Sequence, residues 1–229
     1  MPPTLPRHRR LDVLKKQCII FNMKTALPAK SNHDQILSRV AKQGRGWAFT
    51  PHDFADLGDP RGVGMVLTRL VRDGKIRRIA RGLYDSPHPH PVLGQTGATA
   101  DAVVDALARG RHLRLLPSPQ VAANQLGLTT QVPAQMIYQT DGAPAKLLLG
   151  QRQIVFRRNT GRNLALAGRA SGLVAQALRD VGKGKVTPDT IQHLRQRLDA
   201  TAKKQLVADL TLVPAWMRPI FLQITRDDG

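Results

Sequence analysis

The sequence predicts an α+β protein, with three short helices and a β-hairpin in its first third followed by a mixed α/β region. Three observations carry this. Between Ser31 and Ser86 apolar residues recur at helical spacing in successive runs, each opened by a capping residue and closed by glycine. Ile76 to Tyr84 then reads as two short strands around a basic turn. After Pro87-His88-Pro89-His90-Pro91, which can continue neither a helix nor a central strand, strand-like and helix-like segments follow one another.

Taken in order, Ser31 and Asn32 are helix starters, and Ile36, Leu37 and Val40 follow at helical spacing, giving a helix over about 32–42 stopped by Gly44 and Gly46. Trp47-Ala48-Phe49 is short and extended. Thr50-Pro51-His52-Asp53 opens a second helix, with Phe54 and Leu57 inward and Gly58 as its end. Asp59-Pro60 opens a third, whose stripe is Val63, Val66 or Leu67, Leu70 and Val71, closed by Gly74. Three helices followed by a small hairpin, with a glycine turn between the second and third, is the order of a winged helix-turn-helix. The expected organisation is therefore a basic arm over 1–30, a winged helix-turn-helix domain over 31–86, a linker over 87–91 and a mixed α/β domain over 92–229.

The balance of charge bounds the partners. The chain of 229 residues carries 35 Lys and Arg against 16 acids, a formal charge of +19, and every acid is Asp. Such a surplus draws a protein toward polyanions. Hydrophobic residues make up 41%, enough for a core. The single cysteine, Cys18, allows no intramolecular disulfide and no cysteine-pair zinc site, which fits a reducing, cytoplasmic setting. No apolar run approaches the roughly 20 residues of a membrane span. The stretch Cys18–Phe21 is too short for a signal peptide, and Met23 is an alternative start to Met1.

The helix-turn-helix reading names the contacts. The major groove, about 12 Å wide, admits one helix. On the outer face of the third helix lie Arg61, Met65, Thr68, Arg69 and Arg72, with Gly62 and Gly64 permitting close approach. Arginine pairs with a guanine edge in two-pronged fashion, so Arg61, Arg69 and Arg72, with Thr68, are the expected base readers. Lys75, Arg77, Arg78 and Arg81, on the hairpin, suit phosphates or the minor groove. Arginines on an outer face are also what a solvated helix carries, and winged helices dock proteins or RNA as well. The alternative expectation is such an interaction module.

The run from Met65 through Gly74-Lys75-Ile76-Arg77-Arg78 to Arg81-Gly82-Leu83-Tyr84 resembles the end of the winged-helix domain of AbiEi-type antitoxins. The segments from Ser118-Pro119-Gln120 to Gly127-Leu128 and Gln131-Val132-Pro133-Ala134 resemble that family's pattern after the linker. The likeness covers about 31–160. It implies the antitoxin half of a bacterial type IV toxin–antitoxin pair, a repressor of its own promoter. On the same implication the C-terminal domain counters a nucleotidyltransferase-like toxin without needing a stable complex.

In the second region, helices are expected over about 99–109 (Val103, Val104 and Leu107 inward), 118–127, 173–180, 188–199, 202–209 and 214–224, with strands near 112–116, 136–138, 146–149 and 153–156. Trp216, Phe221 and Leu222 are expected to pack the last helix. Arg157, Arg158, Arg162, Lys183 and Lys185 form a second basic feature, and Asn124 and Gln125 read as capping or packing residues. Catalytic spacing is not found: His88 and His90 have no third ligand nearby, Gly161–Arg169 lacks phosphate-loop spacing, and Asp101 and Asp105 read as a solvated helix face. The expectation is a protein that is not an enzyme, with no cofactor and no metal.

Overall fold

The computed structural model describes residues 31–90, 94–159 and 164–226; the expected arm, with Cys18 and both candidate starts, and Arg162 lie outside them. The fold is mixed α+β. No helix among the described residues is long and apolar enough to cross a membrane.

Helix α1 (Asn32–Gln43) is capped by Ser31, whose hydroxyl accepts from the Asp34 amide, and buries Ile36 and Val40. Strand β1 (Ala48–Phe49) follows. The second expected helix is instead a 3-10 helix, Pro51–Leu57, with Thr50 and Asp53 in a reciprocal capping box. Phe54 departs from helical torsions inside it, so the seven residues never settle into α pitch. Helix α2 (Pro60–Arg72) starts at Asp59, which accepts from the amides of Arg61 and Gly62. Its inner stripe is Val63, Leu67 and Leu70, so Leu67 rather than Val66 takes the buried position. Strands β2 (Arg77–Ala80) and β3 (Leu83–Asp85) turn at Arg81-Gly82, where Gly82 has a φ of 71°. The sheet runs β1-β3-β2, all antiparallel, with Phe49 opposite Tyr84 and Arg78 opposite Tyr84. Phe49, Phe54, Trp47 and Tyr84 form one aromatic cluster, with Phe49 and Phe54 edge to face at 5.5 Å.

The proline and histidine run is not bare connection. His88–His90 forms β4, paired antiparallel with β5 (Gly94–Thr96) as an isolated two-stranded ribbon. A ribbon of this kind tolerates Pro89 because it has free edges.

Helix α3 (Ala100–Arg111) joins the two halves. The apolar cluster on its inner face takes Val103, Val104, Ala106 and Leu107 together with Ala48 and Leu83 from the first sheet and Met136, Tyr138, Ile154 and Phe156 from the second. The second sheet runs β6-β7-β9-β8, from β6 (Leu115–Pro117), β7 (Gln135–Thr140), β8 (Ala145–Leu149) and β9 (Arg152–Arg158). Strand β7 pairs with β9 in parallel, Met136 opposite Ile154, while β8 closes the edge antiparallel to β9.

A third apolar cluster gathers helices α4 (Pro119–Gln125), α5 (Ala170–Val181), α6 (Pro188–Arg197), α7 (Ala200–Ala208) and α8 (Arg218–Thr225). The last expected helix is split, a 3-10 turn over Ala215–Met217 preceding α8. Pro219 near the start of α8 explains the break, since its ring cannot continue a helix from upstream. Met217, Phe221 and Ile224, at helical spacing, are buried and Trp216 is half-buried, while Leu222, off that stripe, is 43% exposed, correcting the expected packing of Leu222.

Candidate nucleic-acid interface

Burying Val63, Leu67 and Leu70 forces the other side of α2 outward. Arg61, Met65, Thr68, Arg69 and Arg72 are all exposed, Met65 by 66%. Their spacing places Arg61, Met65, Thr68 and Arg72 on one stripe, with Arg69 beside it. The Thr68 hydroxyl donates to the Gly64 carbonyl at 2.8 Å, which leaves its lone pairs outward. Strand β2 stands against the flank of this face. The result is an open groove of about 570 Å³ lined by Arg61, Gly64, Met65, Thr68, Arg69, Arg72, Arg78 and Tyr84.

Five of the eight expected contact residues therefore share one surface: Arg61, Thr68, Arg69, Arg72 and Arg78. No carboxylate lines it. The acid nearest in chain is Asp73, whose Oδ1 lies 3.6 Å from the Arg72 Nε. The Arg78 Nε donates to the Ala80 carbonyl at 3.4 Å. Lys75 is exposed in the turn between α2 and β2 but does not line the groove.

Arg77 and Arg81 do not line the groove. Arg77 binds Asp85 in two-pronged fashion, Nε to Oδ1 at 3.1 Å and Nη2 to Oδ2 at 2.7 Å. The carboxylate is fully buried and also accepts from the Ala98 amide at 2.9 Å. Burial forces the pairing, because a buried carboxylate without a cation costs several kcal/mol. Burial lowers and pairing raises the Arg77 pKa, and the bond to Asp85 wins, so the net shift is upward. Arg81, at the hairpin tip, lines a different cavity on the seam with α3.

A second polar constellation was not legible as a site. Asp101 and Asp105 border the outer end of a cavity of about 510 Å³ with Gln125, Tyr138 and Arg169. Asp101, read as solvated, accepts from the Tyr138 hydroxyl at 3.3 Å and from Gln125. Gln125 is thus a bridge between α4, α3 and β7. Burial, and next the Asp101 charge, push the Tyr138 pKa above the ordinary tyrosine range. Burial likewise raises that of Asp105, offset by Arg109. The period-2 pattern of β7 signals that Tyr138 points inward, but nothing in sequence pairs it with Asp101 across 37 positions. Asn124, inside α4, donates to the Thr129 and Gln131 carbonyls and so ties down the loop that follows the helix rather than capping it. Arg157 and Arg158 are exposed at the end of β9. Among the described residues no group of three or more histidine, cysteine or acidic side chains is placed to hold a metal ion.

Comparison with curated proteins finds no match. The chain matches a protein family over residues 35–206, a span that takes in the groove, α3, the second sheet and the helical layer as far as α7, and it belongs to that family, DUF6088, a family of unknown function.

Proposed function

We propose that this protein is a DNA-binding transcriptional regulator whose first unit, 31–86, is a winged helix-turn-helix, with α2 as the reading helix and β2–β3 as the wing. The single observation that carries the reading is the groove in which Arg61, Arg69, Arg72 and Arg78 converge with no carboxylate among its lining residues. A helix of 13 residues is about 20 Å long at 1.5 Å per residue, enough to lie in a major groove. Met65 and the Thr68 methyl suit thymine methyl groups, and the arginines suit guanine edges. The resemblance to AbiEi-type antitoxins supports a finer reading: a cytoplasmic repressor of its own promoter, paired with a nucleotidyltransferase-like toxin and binding no membrane.

The test is a footprint and mobility shift on the protein's own promoter. Wild type is expected to bind duplex, with affinity falling roughly 10³-fold between 50 and 200 mM salt if about six phosphates are neutralised. Arg69→Ala, Arg72→Ala and Arg78→Ala combined should lose 100-fold or more, at about 1–3 kcal/mol for each guanine contact. Retained affinity in that triple variant, or selective binding of RNA or of a protein partner without duplex, overturns the reading.

A further inference from the structure

The seam between the hairpin and α3 holds a cavity of about 190 Å³ with an unusual wall. One side is Ala80, Arg81 and Leu83 of the hairpin; the other is Leu107 and Arg111 of α3, Leu113, and the β8–β9 surface with Lys146, Leu147 and Phe156. Leu83, Leu107 and Phe156 are buried, so the floor is apolar. Arg81 and Arg111 are both exposed, so the rim is cationic, while Lys146 alternates with Ala145 and Leu147 along β8 and leaves from the opposite face of the sheet. No acid lines the cavity, and none of the ion pairs among the described residues uses these two arginines. Two like charges at one mouth repel one another, and their low-dielectric floor strengthens the repulsion. The arrangement is complementary to a ligand with one anionic head and a short apolar body. At roughly 30 Å³ per water volume, the space suits a single ring or a short acyl chain and excludes a nucleotide. A phosphodiester backbone has no apolar group to fill the floor, so duplex DNA alone leaves it unexplained.

We propose that this cavity is a binding site for a small amphipathic carboxylate, its head held by Arg81 and Arg111 and its tail by Leu83, Leu107, Leu113 and Phe156. Its walls come from the hairpin on one side and the body on the other, so an occupant ties the two together. On the DNA reading given above, on which this consequence rests, the carboxylate also draws the Arg81 guanidinium away from phosphate, and duplex affinity falls.

Octanoate, acetate and inorganic phosphate serve as probes against the full chain, by calorimetry and thermal shift. Octanoate is expected to bind with a raised Tm, while acetate and phosphate at equal concentration give no comparable shift. Arg81→Gln and Arg111→Gln should each weaken octanoate about tenfold, as expected for loss of one charge-assisted hydrogen bond. Arg158→Gln, outside the cavity, should leave it unchanged. Ala80→Leu, which fills the space without removing a charge, should abolish binding while the far-ultraviolet spectrum is retained. Saturating octanoate should lower promoter affinity several-fold in wild type and not in the Ala80→Leu variant.

No octanoate binding, equal response to acetate and phosphate, or unchanged octanoate affinity in both arginine variants overturns the site, whatever the duplex does. Octanoate binding of the expected pattern without any duplex binding supports the site and sinks only the DNA reading. Octanoate binding with unchanged duplex affinity overturns the coupling.

Discussion

At the scale of single residues, Asp85 decides more than any of the exposed arginines. Its carboxylate is buried, takes both prongs of Arg77 and caps the Ala98 amide. It thereby ties β2 and β3 to the segment leading into α3. Asp85→Ala strands the Ala98 amide and frees Arg77, and should cost about 2–4 kcal/mol of stability by denaturant titration. Arg77→Ala, expected from sequence to weaken phosphate contact, should instead act chiefly on the melting temperature, because it leaves that buried carboxylate without its cation. A variant of Arg77 that melts like wild type but binds duplex poorly would contradict this. Gly97 sits directly against the pair, and a Cβ there would collide with both the Arg77 guanidinium and the Asp85 carboxylate. Gly97→Ala should therefore lower stability in the same manner as Asp85→Ala.

At the scale of elements, α2 is defined by its two ends and its two faces. Asp59 supplies the cap for the amides of Arg61 and Gly62, so Asp59→Ala should cost about 1 kcal/mol and fray the turn that carries Arg61. The loss should register in hydrogen exchange of that first turn before it registers in global melting. Helix α3 is held differently, by close approach. Gly110 lies against Thr50, and a Cβ at that position would overlap the threonine side chain. Around it Arg109 reaches the Ala48 carbonyl at 3.1 Å and Asp53 at 3.3 Å, while His112 and His52 share a hydrogen bond at 3.2 Å. Gly110→Ala should push α3 off the 3-10 helix and cost about 1–3 kcal/mol, with protection lost at β1 as well as in α3. An unchanged Tm would show that this contact is slack.

At the scale of the whole molecule, charge and pH set the response. Asp34 is held below the usual carboxylate range by the Ser31 hydroxyl, Asp56 by Arg39 and Asp141 by Arg114. A carboxylate with a lowered folded pKa adds stability above its unfolded value, near 4, and that stability disappears as pH falls through the lower folded value. Asp105, raised by burial, acts in the opposite sense and regains stability as it protonates first. Melts by circular dichroism should therefore hold from neutral pH down to about 4 and decline below it. Arg39→Gln should soften that decline by removing the Asp56 part. A midpoint that is flat to pH 3 would contradict the assignment. The large positive charge adds self-repulsion at every pH in this range, since the arginines and lysines stay protonated.

Sequence by itself determined the local grammar: where α1, α2 and the hairpin begin and end, and which side of α2 faces out. These depend on capping atoms, proline, glycine and periodicity within a dozen residues, and such interactions are readable without knowing what packs elsewhere. The β4–β5 ribbon was missed because proline argues against strands, and only a free edge on both sides reconciles the two. What tertiary structure alone decided was the fate of identical side chains. Arg77 and Arg78 are neighbours in sequence, yet alternation along β2 sends one to a buried Asp85 and the other to the groove. Asp101 is exposed, as its helix position implies, yet it also accepts from Tyr138 and Gln125 on two distant elements. Charge in a sequence is a sum over residues; its use is set by which opposite charge the fold brings within about 4 Å, and that is a property of long-range packing.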